Sequence, residues 1–415
     1  MHEFKYKGNE FYCENVSIKK LASEFSTPLY VYSHKTLVDH FRKIKAAFSE
    51  FKPLICFAAK ANANLNILRI LIEEGAGLDV VSGGELYKGL EAGVDPKRIV
   101  YASVGKTDEE IREALKAGIL FFNVESVPEL ENINRIAASL KKKANVAIRI
   151  NPDVDPETHE YITTSKKENK FGIDLAVARR IFSSLCRYPW VNLNGIHLHI
   201  GSQITKAKPY KDALKKIISF IKTNNIELDY INLGGGLGII YDNEKPQTAE
   251  SFAKAIAPLL RKIKARLILE PGRFIVGNSG ILVAKSIYIK EASTKTFVIT
   301  DTAMNDLMRP SLYQAYHTIL PLKKAKGNFK KLVDIVGPVC ESGDFLGKSR
   351  KFPKVESGCF LAVLGAGAYG FSMSSNYNAR PRAAEVLVKG NKYYLIRKRE
   401  TYKDLIATDI KVKGL

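Results

Sequence analysis

The chain of 415 residues contains no run approaching twenty consecutive apolar residues, so it is not expected to cross a membrane as a helix. It does not open on an apolar segment either. Met1-His-Glu-Phe-Lys-Tyr-Lys-Gly8 carries charges where a secretion signal needs hydrophobic residues. Cysteine is scarce, with five residues at positions 13, 56, 186, 340 and 359. An odd, scattered set without CxxC or histidine-rich spacing points to a reducing compartment, hence a cytoplasmic protein, and away from a zinc site. Acidic residues are also in deficit, 43 against 64 Lys and Arg, giving a formal net charge of +21. Such an excess attracts polyanions. The basic residues nevertheless come in short scattered runs such as Lys141–Lys143, Lys323-Lys324 and Lys330-Lys331, with no arginine-rich arm and no aromatic-interleaved motif. Solvated faces with some attraction for an anionic substrate account for them better, and neither nucleic acid nor membrane is expected as a partner.

What is present is an ordinary globular composition, 46% apolar and 26% charged, long enough for two full-sized cores. From Lys35 onward, helical spacing (Leu37, Phe41, Ile44, Phe48) gives way to an alternation with a period of roughly 20 to 45 residues. Apolar strand candidates end near Lys60, Ser82, Ser103, Glu125, Asn151, Gly201, Gly234 and Glu270, with helix-like segments between them. Eight strands separated by helices predict a closed (β/α)8 barrel. After Arg273 the texture changes to strand-like runs, 281–289, 296–300, 331–335, 359–364, 385–388 and 393–396, with turn residues between them. The expected architecture is α/β plus all-β: a barrel over 36–273, and a second, β-rich domain formed by the C-terminal part, 274–415, and the N-terminal segment, 1–35.

Chemistry in such a barrel sits where the strand C-termini converge. Leu54-Ile-Cys-Phe-Ala-Ala reads as a six-residue buried strand, and Lys60 follows it at the edge of a core. Partial desolvation there favours the neutral amine, the form that attacks a carbonyl to make a Schiff base. A lysine after an apolar run is by itself an ordinary solvated strand end, so the neighbouring strand ends decide. Asp79 lies in strand 2, Arg149 near the end of strand 5, and His197-Leu-His199-Ile-Gly-Ser202-Gln203 closes strand 6. Gly234-Gly235-Gly236 closes strand 7, and Glu270-Pro-Gly272-Arg273 closes strand 8. Each has a use if the carbonyl belongs to pyridoxal 5'-phosphate. Glycine amides and Arg273 suit a phosphate, Glu270 suits a protonated pyridine nitrogen, and His199 offers a flat ring for stacking. Gly365-Ala-Gly367-Ala-Tyr369-Gly370 matches GxGxxG formally, but no helix follows and a dinucleotide fold does not fit there. In the β half, Arg309 and Tyr313 stand four residues apart, and Cys340 stands beside Glu341. Arginine suits a substrate carboxylate and glutamate a substrate ammonium, whereas a cysteine between apolar residues is most often a small core residue.

Together these motifs, with Phe57-Ala-Ala-Lys60-Ala-Asn, Asp79-Val-Val-Ser-Gly-Gly-Glu85, Asn123-Val-Glu-Ser, Met308-Arg-Pro-Ser-Leu-Tyr313, Cys340-Glu-Ser-Gly-Asp344 and Arg399-Glu-Thr-Tyr402, make the chain resemble the diaminopimelate decarboxylases, pyridoxal-phosphate enzymes of the alanine-racemase-like fold. The resemblance runs nearly end to end. It implies that Lys60 carries the cofactor, with Asp79, Arg149, His199, Ser202, Gly234, Gly235, Gly236, Glu270, Gly272, Arg273 and Tyr369 around it. It further implies Arg273, Arg309, Tyr313, Glu341 and Tyr369 as substrate contacts for meso-diaminopimelate, and Cys340 as proton donor. No metal is required. A homodimer with shared active sites follows as well, because in the family Cys340 and Glu341 enter the neighbouring subunit's site. One departure is Ser165, where members often have glycine, in the loop Tyr161–Gly172. The nearest alternative is a related decarboxylase acting on ornithine, arginine or carboxynorspermidine. Substrates ending in an amine would favour an acidic residue where this chain offers Arg309. Alanine racemases pair the ring nitrogen with arginine, which withholds the electron sink. Non-catalytic pyridoxal-phosphate carriers lack the β domain altogether.

Overall fold

The computed structural model describes residues 2–154, 170–325, 330–412 and 414; Ser165 and most of its loop lie outside them. The chain divides into two compact units, Val38–Ile240 with Glu244–Ile275, and Met1–Leu37 with Tyr241–Asn243 and Val276–Leu415.

The first unit is the expected barrel. Strands Leu54–Ala58 (β1), Gly77–Val80 (β2), Ile99–Tyr101 (β3), Phe121–Val124 (β4), Ala144–Arg149 (β5), Val191–His197 (β6), Tyr230–Asn232 (β7) and Arg266–Leu269 (β8) pair in parallel and close, with Ile268 of β8 opposite Leu54 of β1. Barrel strands are covered on both faces, so they read as continuous apolar runs rather than as alternation; β1 and β4 are buried at every residue. Leu54, Cys56, Val100, Phe121, Ala147 and Ile268 fill the interior. Most of the intervening helices start at side-chain caps, as at Asn64, Ser82, Ser126, Asp174 and Thr248; Lys208–Thr223, which follows Ala207, does not. Thr107 forms a capping box with Glu110 for Asp108–Ala117, and Gly118 ends that helix in the left-handed conformation. β1 stops one residue earlier than its apolar run, at Ala58, because Ala59–Ala61 folds into a 3-10 turn; Lys60 sits in that turn. Strand β6 likewise ends at His197, so His199 and Ser202 lie on the loop beyond it.

The second unit is built on a nine-stranded sheet. Leu29–Ser33 runs through its middle, antiparallel to Gly280–Glu291 and parallel to Ala384–Lys389, which ties the N-terminal segment to the C-terminal half. Strands Phe4–Lys7, Glu10–Cys13 and Val16–Ser17 form a small antiparallel sheet whose Phe4, Phe11 and Cys13 share one core with Val31, Val283, Ala362 and Val386. The edge strand Phe345–Pro353 left no apolar signature, since Lys348, Arg350 and Lys351 interrupt it. Charge of this kind is how exposed sheet edges avoid pairing with other chains. The unit also contains short helices, Ile18–Phe25, Arg309–Tyr313 and Tyr402–Leu405, so it is β-rich rather than purely β.

Candidate active site

On the barrel unit the polar residues gather just beyond the strand C-termini. Lys60 Nζ lies 2.9 Å from Asp79 Oδ2, with the carboxylate fully buried and the lysine side chain 32% exposed. Burial and the charge of Glu270 push Asp79 up to about 7 in spite of Lys60, and its second oxygen, Oδ1, is buried without a hydrogen-bond partner among the described residues. Glu270 is treated oppositely. Its Oε1 accepts from Asn232 Nδ2 at 2.6 Å and Asn123 Nδ2 at 3.2 Å, and its Oε2 lies 3.2 Å from His197 Nε2. Burial works against the charge, but His197 and Lys60 outweigh it and hold the carboxyl below the usual carboxylate range. Two carboxylates on one rim are thus driven apart, one toward the acid and one toward the anion.

The three glycines bring the rim loops into backbone contact. A Cβ on Gly234 would stand 2.5 Å from the Leu198 carbonyl oxygen, one on Gly235 2.1 Å from that of Glu270, and one on Gly236 2.5 Å from that of Gly201. Gly234 and Gly236 also take positive φ, +66° and +109°, which disfavours side chains there. The Gly235 N–H donates to His199 Nδ1 at 3.3 Å. Burial, then Arg149 and Lys60, drive the His199 imidazole well below its ordinary value, so the ring is neutral at pH 7. Arg273 Nη2 donates to Ser202 Oγ at 3.1 Å. Gly272 has a packing reason of its own, since a Cβ there would meet Ala61 and Ala58 at 3.0 and 3.1 Å. Arg149 is held by Glu125, with Nη1 2.8 Å from both carboxylate oxygens, and its guanidinium lies over the Phe171 ring. A primary amine against a buried carboxylate, a neutral flat imidazole, an anionic carboxylate and an arginine–serine pair by glycine-lined backbone fit the donor set of pyridoxal phosphate. Lys60 would attach it, Glu270 would face its ring nitrogen, His199 its ring, and Ser202, Arg273 and Gly234–Gly236 its phosphate. His197, Asn123, Asn232 and Glu125, to which sequence reading assigned no role, turn out to hold the assigned residues. Their signals were a polar side chain next to strand residues that are otherwise apolar and, for His197, Asn123 and Glu125, a place in the motifs that carry the resemblance.

On the β-rich unit a second group forms. Arg309 and Tyr313 occupy the two ends of one short helix, Arg309 buried and Tyr313 half-buried. Ser311 Oγ donates to the Gly343 carbonyl at 2.6 Å, linking this helix to the 340–344 loop. Asp344 pins that loop by accepting from Met304 N at 2.7 Å and Val339 N at 2.8 Å. The loop presents Cys340 and Glu341 to solvent, so Cys340 is not a small core residue. The Cys340 N–H donates to Asn378 Oδ1 at 2.9 Å. Tyr369 adopts a left-handed backbone, φ +56°, costly for a tyrosine and the kind of local strain found at working sites. Gly367 and Gly370 of the GxGxxG match serve close packing: a Cβ would lie 2.0 Å from the Val276 carbonyl oxygen and 2.3 Å from that of Ala366, respectively.

Barrel and rim residues define the class. Residues 34–277 match the family described as pyridoxal-dependent decarboxylase, pyridoxal binding domain, and the cofactor is pyridoxal phosphate. Over 412 residues the chain is 47% identical to a diaminopimelate decarboxylase of Aquifex aeolicus, an alignment spanning 98% of this chain and 97% of the relative. Two solved structures are similar throughout. The diaminopimelate decarboxylase of Helicobacter pylori, complexed with L-lysine, has 41% identity and a TM-score of 0.90, covering 94% of this chain and 98% of that one. The enzyme of M. jannaschii, in co-complex with L-lysine, has 42% identity and a TM-score of 0.93, covering 99% and 98%. The chain belongs to the diaminopimelate decarboxylase family.

Proposed function

We propose that the protein decarboxylates meso-2,6-diaminopimelate at its D-centre, releasing carbon dioxide and L-lysine as the last step of bacterial lysine biosynthesis. The observation that carries the reaction type is Glu270, a buried carboxylate kept anionic by His197, Asn232 and Asn123. Such a group holds a pyridine nitrogen protonated. When bound, pyridoxal phosphate supplies the electron sink for the bonding pair left at Cα as carbon dioxide departs.

The chain's own residues do the rest. Lys60 attaches the cofactor and gives up its place to the substrate amine, and Asp79 orients Lys60 and manages its charge. His199 supports the ring face, and Ser202 and Arg273 anchor the phosphate. Arg309, Tyr313, Glu341 and Tyr369, with Arg273, take the distal ammonium and carboxylate of the substrate. Arg309 favours a substrate ending in a carboxylate over ornithine, arginine or carboxynorspermidine. Cys340 returns a proton to Cα. Exposure of Cys340 and Glu341 on the single chain supports a homodimer in which each subunit lends them to the other's site. Among the described residues no helix is long and apolar enough to cross a membrane, and the reading places the enzyme in the cytoplasm.

The experiment is lysine release from meso-diaminopimelate by purified protein with pyridoxal phosphate, beside parallel ornithine, arginine and carboxynorspermidine reactions. Lysine from meso-diaminopimelate alone, lost in Lys60→Ala, is the expected result. Consumption of another substrate instead would overturn the assignment of Arg309, Tyr313 and Glu341 while leaving the cofactor site standing.

A further inference from the structure

Arg309 is buried, and two aromatic side chains hold its guanidinium. Its Nη1 lies 3.1 Å from His317 Nε2, and His317 Nδ1 lies 2.8 Å from the carbonyl oxygen of Leu364. A carbonyl can only accept, so Nδ1 carries the hydrogen. The other ring nitrogen then keeps its lone pair and accepts from Arg309. A second proton on His317 would set donor against donor and cation against cation at a residue with 0% exposure, where no solvent screens the repulsion. On its other contact the guanidinium carbon lies 4.6 Å from the centroid of the Tyr241 ring, and that ring meets the His317 ring edge-on at 5.3 Å and 75°. Tyr241 is itself tied down through its backbone carbonyl, which accepts from Thr318 Oγ1 at 3.2 Å.

We propose that His317 is a positioning residue for substrate selection. As the neutral Nδ1–H tautomer, backed by the Tyr241 ring, it orients the Arg309 fork for the carboxylate at the far end of the substrate. The proposal rests on the reading of Arg309 as the group that takes that carboxylate. An arginine is a long, flexible side chain, and its planar fork recognises a carboxylate well only when its plane is set beforehand. One hydrogen bond from Nη1 and one ring face are enough to set it. A distal carboxylate is contacted alike in the ground state and the transition state, so loosening Arg309 weakens binding more than turnover.

L-lysine and cadaverine differ only by that carboxylate and serve as paired competitive probes of the holoenzyme. His317→Asn retains an amide N–H for the Leu364 carbonyl but removes the acceptor facing Arg309, whereas His317→Gln supplies an amide oxygen close to the place of Nε2. The Asn variant is expected to weaken L-lysine inhibition and raise KM for meso-diaminopimelate by roughly ten-fold, the size of a lost hydrogen bond to a charged group. Cadaverine inhibition should hold, kcat should fall less than KM rises, and the Gln variant should recover most of the loss. Arg309→Ala is the reference. If it leaves the lysine-to-cadaverine ratio unchanged, the reading of Arg309 fails. If it collapses the ratio and His317→Asn does not, the role of His317 is refuted while that reading survives. Equal weakening of both probes by His317→Asn, with kcat falling in step, would indicate general loosening and also refute it. Should His317→Asn not fold, Tyr241→Leu makes the same test from the other face: selective loss of lysine binding supports the proposal, and an unchanged ratio sinks it.

Discussion

A carboxylate buried in protein is ordinarily driven toward its neutral form, and Asp306 follows that rule while Glu270 escapes it. Asp306 is 1% exposed, and burial pushes it up to about 7, with one backbone N–H, from Ala303, and the charges of Arg380 and Arg399 acting the other way. Its folded value lies above the ordinary 3.8, so between about pH 4 and about pH 7 the folded chain binds more protons than the unfolded one. Stability therefore falls as pH rises through that window, at up to about 1.4 kcal/mol per pH unit. Asp306→Asn is expected to flatten this slope, which urea midpoints at pH 5 and pH 8 will register. Glu270 has three donors on its two oxygens and keeps its charge. Glu270→Gln keeps the shape but not the charge. Turnover should drop by at least about a hundred-fold while the cofactor remains attached, as its absorbance would report. Full activity in that variant would remove the electron-sink argument.

The rim loops after β6, β7 and β8 act as one body because glycine allows their backbones to touch. At Gly235 the obstacle to a side chain is the Glu270 carbonyl, which cannot move without moving β8. Gly235→Ala should cost about 1–3 kcal/mol of stability and weaken cofactor binding together, measured by urea unfolding and by cofactor titration. Gly84, inside the helix Gly83–Glu91, is the contrast. An added Cβ meets nothing nearer than 3.9 Å, so Gly84→Ala should be neutral or stabilising by up to about 1 kcal/mol. A comparable chain supports Arg149, where Glu125 holds the guanidinium, Glu129 Oε2 accepts the Glu125 N–H at 2.8 Å, and the buried Lys106 ammonium pairs with Glu129 Oε1. Buried polar chains like this hold one geometry because a broken member leaves a desolvated group unpaired.

At the scale of the whole molecule, the 340–344 loop offers its thiol and carboxylate to solvent, which makes the proposed homodimer testable. If each subunit completes its partner's site, Lys60→Ala and Cys340→Ser are defects in different halves of that site. Co-refolded in equal amounts, two inactive variants should give about a quarter of wild-type activity, since half of the dimers are mixed and each mixed dimer keeps one intact site. No recovery on mixing, with mixed dimers demonstrated by differential tagging, would rule out shared sites.

Much of this protein could be read before any coordinates. The eight barrel strands were legible because strands covered on both faces must be apolar throughout, and the helices because apolar residues recur in them at helical spacing, as Leu37, Phe41, Ile44 and Phe48 do. Lys60 and the glycine triplet stood out because strand termini converge in a barrel. The strand Phe345–Pro353 was not legible, since a charged edge has no periodic pattern to betray it. Nor was the 3-10 turn that takes Lys60 past the end of β1. Pairings across distance were likewise hidden: Glu270 finds its donors 147, 73 and 38 residues away, and His317, the partner of Arg309, meets the Leu364 carbonyl from 47 residues away. The order of elements and the gathering of candidate reactive side chains at strand ends are local, periodic properties that the sequence alone determined. Which polar group answers which, and hence which charge survives burial, was decided only by tertiary packing, because the energy of a buried charge depends on neighbours that the chain brings together only when it folds.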